Sequence, residues 1–187
     1  MFIWSEKTKY PGNERRSPSL CNIVDKWVYV ISGSDIHTGQ DLKTCLKYDI
    51  ETKQWSDLPQ LNRGRFNSSS CFLGGSVYTF CRTKVDANIF QTVEKLNVTV
   101  DPALQAWKLF ELRNLSERWD PAISVLNSTE IVIMGGKSDR DKLNDIWVFN
   151  VRSDTCKKVA EGGPIGFRVW HNQSTPVGLN KVAVLVQ

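Results

Sequence analysis

Apolar residues in this chain come in short runs set between polar or glycine-bearing stretches. Trp27-Val28-Tyr29-Val30-Ile31, Val77-Tyr78-Thr79-Phe80, Ile131-Val132-Ile133-Met134 and Val182-Ala183-Val184-Leu185-Val186 are the strongest. After a loop, the first three are followed by second runs at Cys45-Leu46-Lys47-Tyr48, Val93-Glu94-Lys95-Leu96 and Ile146-Trp147-Val148-Phe149. Runs this short, rich in β-branched and aromatic residues and bounded by turn formers, predict strands rather than helices. The segment nearest to a helical period is Glu111–Arg118, which is short and falls between runs.

The pattern repeats. Arg16, Arg65, Arg118 and Arg168 stand 49, 53 and 50 residues apart; the first three are each followed by the same order of apolar run, loop, second run and aromatic position, and Arg168 by the apolar run alone. A period near 50 residues signals stacked supersecondary units. In the clearest copy, Ile131–Met134 leads into Gly135-Gly136, then a polar loop Lys137–Asn144, then Ile146–Phe149. The first copy keeps Gly33 and places Trp55 seven residues after Tyr48, the step that also separates Phe149 from Cys156. In the middle copy Cys81-Arg82 replaces the glycine pair, and an insertion of four residues near Asp101-Pro102 lengthens the step to Trp107. Each unit is expected to hold four strands, the first over 67–73 or 121–126 and the last carrying the tryptophan. The expected divisions are 1–14 as the last strand of a preceding unit, 15–62, a degenerate 63–115, 116–165, and 166–187 as the start of a further unit.

The double glycine, the aromatic followed by Asp or Asn (Tyr48-Asp49, Phe149-Asn150) and the spaced tryptophan together resemble the kelch repeat. Leu143–Phe149 is especially similar to that family's third strand. The resemblance covers essentially the whole chain and implies an all-β fold, a β-propeller of four-stranded blades. About three full blades are expected, with terminal half-blade strands. Two arrangements stay open: terminal pieces joined as a composite fourth blade, or an incomplete ring belonging to a larger propeller. An unclosed array exposes strand edges, through which a chain can associate with itself.

Composition narrows the function classes. The net charge of +4 comes from 24 basic and 20 acidic residues, well mixed, without the basic stripe of a nucleic-acid binder. No run approaches a membrane span, and Met1–Tyr10 lacks a secretory h-region. Five cysteines, Cys21, Cys45, Cys71, Cys81 and Cys156, contain no CxxC pair and suggest neither a disulfide framework nor zinc. The expected setting is soluble, reducing and cytoplasmic, where the N-x-S/T sequons at Asn67, Asn97, Asn114, Asn127 and Asn172 are inert.

Candidate chemistry centres on the arginine ladder. By resemblance, Arg16, Arg65, Arg118 and Arg168 would surround one mouth of the propeller channel and hold acidic peptide motifs, with Trp119 and Trp170 beside them as aromatic anchors. An arginine fork grips a carboxylate with two hydrogen bonds and keeps its charge. The competing role is structural, tying blade to blade through backbone carbonyls. Trp4, Trp55 and Trp107 recur in the unit and are expected to pack between blades. Asp139, Asp141 and Asp145 lack the spaced glycine and glutamate of a calcium loop, since Asn144 and Asn150 occupy those places. His37 and His171 assemble no triad, phosphate loop or dinucleotide fingerprint. The reading is a non-catalytic module with no catalytic residue, cofactor or metal, binding a protein or acidic peptide through the loops 34–44, 82–91 and 137–144. The alternative is a fragment of a kelch-type propeller enzyme acting on a sugar or small ligand.

Overall fold

The computed structural model describes residues 11, 14–21, 26–80, 91–138, 140–161, 174–178 and 181–184, the last two segments as backbone. Three four-stranded antiparallel sheets follow one another along the chain. The first blade has the order β2 (Ser19–Cys21), β3 (Trp27–Ile31), β5 (Cys45–Asp49) and β6 (Gln54–Leu58). The second comprises β7 (Ser69–Leu73), β8 (Ser76–Phe80), β9 (Thr92–Asn97) and β10 (Lys108–Glu111). The third comprises β11 (Ala122–Asn127), β12 (Glu130–Met134), β13 (Ile146–Asn150) and β14 (Thr155–Ala160). A two-stranded sheet, β15 (Ser174–Gly178) with β16 (Lys181–Val184), begins a fourth unit, and β1 (Arg15–Arg16) pairs with β4 (Ser34–Asp35) in a small ribbon. The first strands of successive units lie side by side in the order β2, β7, β11, β15 and form the inner wall. The fold is therefore all-β, a β-propeller of kelch-type blades with three full blades and the strands of a further one. First strands begin at Ser69 and Ala122, a little later than their expected starts at Asn67 and Pro121.

Turn chemistry explains the recurrent Asp or Asn. Asp49 Oδ1 accepts hydrogen bonds from the Glu51 and Thr52 amides, and Asn150 Oδ1 accepts from those of Arg152 and Ser153. These side chains hold the turn between third and fourth strands, whose closing residues Lys53 and Asp154 have φ of 58° and 53°. The insertion of the second blade forms a single 3-10 turn, Pro102–Leu104, capped by Asp101. It is the one helical element among the described residues, so Glu111–Arg118 is not helical.

Strand alternation gives every blade two faces. Face A, toward the next blade, carries Tyr29 and Ile31 in the first blade, Tyr78 and Phe80 in the second, and Val132 and Met134 in the third. Face B, toward the preceding blade, carries Val77 and Leu96 in the second, and Ile131, Ile133, Trp147 and Phe149 in the third. The core sits at these junctions. Tyr29, Ile31, Cys45, Leu58 and Leu61 pack against Val77, Leu96 and Trp107. At the next junction Tyr78, Phe80, Val93 and Leu112 pack against Ile131, Ile133, Trp147 and Phe149. Phe80 and Tyr78 meet the Phe149 ring edge-on at centroid distances of 5.5 and 6.2 Å. Trp107 thus packs between blades as expected, its indole N–H donating to Pro59 O at 2.9 Å. Trp55 is half-buried against Tyr48 on face B of the first blade, and Trp4 lies outside the described residues.

Candidate functional site

The inner strands start at the end of the blades where the arginine ladder runs, and the ladder's register differs from the expected one. A Cβ on Gly136 would stand 2.7 Å from Trp119 O, and one on Gly33 would stand 3.0 Å from Arg16 O. These two glycines, with φ of 96° and 113°, are therefore equivalent. Arg16 matches Trp119, and Arg15 matches Arg118. The next residue, Ser17, Asn67 or Asp120, has φ of 49°, 51° or 49°. The ladder among the described residues is Arg15, Arg65, Arg118, not Arg16, Arg65, Arg118. Pro18 and Pro121, each three residues after its arginine, were the signal in the sequence that separates Arg15 from Arg16.

Each ladder arginine turns its guanidinium onto its own blade. Arg15 Nη1 donates to Ser32 O (2.8 Å) and Thr44 O (3.1 Å), and Nη2 donates to Thr44 Oγ1 (3.0 Å). Arg65 donates to Thr92 O and Thr92 Oγ1 (3.3 and 2.8 Å) and pairs with Glu94 Oε1 at 2.9 Å. Arg118 grips Asp145 with both terminal nitrogens, at 2.7 and 2.9 Å, and also donates to Gly135 O. Thr44, Thr92 and Asp145 occupy one position of the repeat, just before the residue that pairs with the end of the second strand. Arg65 and Arg118 are 0% exposed. Their forks are filled by carboxylates of this chain, which corrects the expectation that they hold an external acidic motif. The structural role holds in altered form. The side chain locks its own blade, while the Arg65 backbone crosses to the first blade: its amide donates to Leu42 O and Ser32 Oγ, and its carbonyl accepts from the Gly33 amide.

Glu94 and Asp145 were not singled out as arginine partners from the sequence. Glu94, fully buried, also accepts from the Asn62 and Arg63 amides and the Asn62 side-chain amide, and so anchors the connection into the second blade. Burial by itself would raise the Asp145 carboxyl, but hydrogen bonds from Arg118 and the Trp147 indole outweigh it and hold the group below the ordinary carboxylate value. Burial pushes the Cys21 and Cys45 thiols up to about 12, which leaves them as unreactive packing residues.

The residue after each ladder arginine reaches the surface: Arg16 is exposed, and Phe66 and Trp119 are half-buried. Trp119 exchanges backbone hydrogen bonds with Lys137, whose Nζ stands 5.7 Å from the indole centroid. Arg16 pairs with Ser34 in the same way. The loops 34–44 and 137–144 begin here and expose Lys43, Lys137, Arg140 and Lys142; His37 is exposed as well. Arg168, Trp170, His171, Asp139, Cys81 and residues 82–90 lie outside the described residues. Among the described residues no three His, Cys, Asp or Glu side chains cluster as a metal site requires, and no helix is long and apolar enough to cross a membrane.

Comparison with known proteins agrees with this geometry. Models described as the Kelch motif match residues 15–62 and 124–163. Adagio protein 3 of Arabidopsis thaliana is 29% identical over 117 residues, which is 61% of this chain and 19% of that protein. Adagio-like protein 3 of Oryza sativa subsp. japonica is 28% identical over 132 residues, 67% of this chain and 21% of that protein. The chain spans about a fifth of the length of these curated relatives. The solved structure of YjhT superimposes with a TM-score of 0.65 at 12% identity, over 83% of this chain and 54% of that one, a likeness of fold alone. With its blades, its glycine turns and both matched motifs in agreement, the chain carries kelch motifs over residues 15–62 and 124–163.

Proposed function

We propose that the chain is a non-catalytic protein-interaction module that binds an acidic peptide or protein segment at the loop end of its inner strands. The observation that carries this reading is the division of labour at the start of each blade. An arginine, buried at Arg65 and Arg118 and half-buried at Arg15, holds the loop, and the next residue, Arg16, Phe66 or Trp119, reaches the outside. A cation and two aromatics on rigid turns form the kind of cluster that dominates binding energy at interfaces. Among the described residues the exposed cations Arg16, Lys43, Lys137, Arg140 and Lys142 outnumber the exposed acids Glu14 and Asp141 on the same elements, which favours an acidic partner. The loops between second and third strands differ in sequence from blade to blade, which is how a shared scaffold varies its specificity.

Selection from a displayed library of random peptides tests the reading. Acidic binders should emerge, and the double variant Arg16→Glu, Trp119→Ala should weaken them at least tenfold with an unchanged circular dichroism spectrum. Binders indifferent to that variant remove the rim. Turnover of a free sugar by the purified chain assigns the enzymatic alternative instead.

A further inference from the structure

The insertion that sets the second blade apart stands beside a cleft. After β9 the chain runs through Val100 and the 3-10 turn Pro102–Leu104 before it re-enters the sheet as β10. This detour leaves apolar residues in solvent: Leu104 is 76% exposed and Val100 37%. Both line a cavity of about 430 Å³ with Lys95, Lys108 and Phe110 on face A, and with Asp154 from the turn between β13 and β14 of the third blade. Lys95 and Lys108 are direct partners across β9 and β10, so their side chains leave the same face together. Like charges opposed in this way repel. Lys95 Nζ stands 5.4 Å from the Tyr78 ring centroid, and no described carboxylate pairs with either lysine. The first blade holds Lys47 and Ser56 at these two places, and Asp49 where the second has Asn97. Asp49 there takes up Lys26 in an ion pair at 3.1 Å. The second blade thus has one carboxylate fewer and one cation more on the same face. In the third blade the pair becomes Val148 and Lys157, so among the described blades the opposed lysines occur once. Asp154 has the opposite need, because its Oδ1 is enclosed and accepts no hydrogen bond.

We propose that this cleft is a binding site for a small organic acid with an apolar body and a hydrogen-bond donor. Its three features ask for three groups: a carboxylate for the opposed lysines, an apolar body for Val100, Leu104 and Phe110, and an N–H or O–H for Asp154 Oδ1. The cavity has the size of a small-molecule site. A carboxylate between the lysines relieves a repulsion already present in the free protein, and a donor to Asp154 satisfies an acceptor that burial has stripped of water. A bare anion meets the first need alone, and a neutral apolar molecule leaves it unmet. The cleft lies at the Asn97 end of β9, while Thr92 at the other end bonds Arg65. The inference therefore concerns the opposite end of the blades from Arg16, Phe66 and Trp119, and holds whether or not that rim binds.

N-acetyl-leucine is the probe, titrated into isotope-labelled protein and followed by amide chemical shifts, with N-acetyl-leucinamide and acetate as controls. At millimolar concentration the acid should move the amides of β9, β10 and the insertion. The leucinamide lacks the charge and acetate lacks the apolar body, so each should bind about fivefold more weakly, as the loss of one exposed interaction predicts. Lys108→Gln should abolish the preference for the acid over its amide, and Leu104→Ser the preference for the acid over acetate. Both positions are exposed, so the circular dichroism spectrum should not change. No shift at millimolar acid overturns the proposal and leaves the lysines as a charge guard on an exposed strand edge. Equal binding of acid and amide, or shifts confined to the arginine end of the blades, overturns it as well.

Discussion

The second and third blades share four strands and a buried arginine, yet they neutralise that arginine differently. In the third, Asp145 sits at the recurrent position before the third strand and grips Arg118 with both oxygens. In the second, Thr92 holds that position and the carboxylate has moved two residues on, to Glu94, at the place where the third blade has Trp147. The move makes the junction between first and second blades polar on its inner side, with Glu94 collecting Arg65, Asn62 and Arg63. The junction between second and third blades stays apolar, built on Ile133, Trp147 and Phe149. What these two blades share is a guanidinium neutralised by a carboxylate and holding the loop between second and third strands. The residue that supplies the negative charge can change.

Removing the carboxylate where it is most buried should break this comparison most visibly. Glu94→Ala leaves Arg65 charged and enclosed, and should cost about 3–5 kcal/mol in urea unfolding. Asp145→Ala should cost less, since Asp145 keeps 7% exposure. Equal losses would refute the contrast drawn between the two sites. At the apolar junction Ile133→Ala should cost about 2–5 kcal/mol. Its counterpart Thr79 has a buried hydroxyl without a hydrogen-bond partner, so Thr79→Val should raise the unfolding midpoint rather than lower it.

Two smaller effects sharpen the register. Arg15→Ala should cost about 1.5–3 kcal/mol through lost charged hydrogen bonds. Arg16→Ala should stay within about 0.5 kcal/mol, as surface substitutions do. The opposite order in a thermal melt would restore Arg16 to the ladder. The last effect is acidic. The folded state holds the Asp145 carboxyl below its unfolded value, so its contribution is present above the unfolded pKa and is lost as pH falls through the folded one. Stability curves of the wild type and Asp145→Asn should therefore converge as pH drops below about 4, near the ordinary carboxylate value.

Much of this could be read from residue order because repeat, strand and turn are local. The 3.4 Å rise and two-residue alternation of a strand appear directly in Ile131–Met134 and Ile146–Phe149. Asp49 and Asn150 announce their turns because each side chain bonds its own backbone two and three residues on. The arginine site was legible only in part. Arg15 and Arg16 are neighbours that fit a fifty-residue period equally well. The matching prolines Pro18 and Pro121 favour Arg15, and the close approach of Gly33 to the chain beside Arg16 establishes it as the one that turns inward.

The sequence by itself determined the unit, its length, its strands and the face each side chain takes, since these follow from short-range periodicity and turn geometry. The tertiary structure decided which arginine is buried and which carboxylate neutralises it. Arg65 and Glu94 are 29 residues apart, and Phe80 and Phe149 further still. The spacing of such pairs is set by blade packing, and no local signal along the chain encodes it.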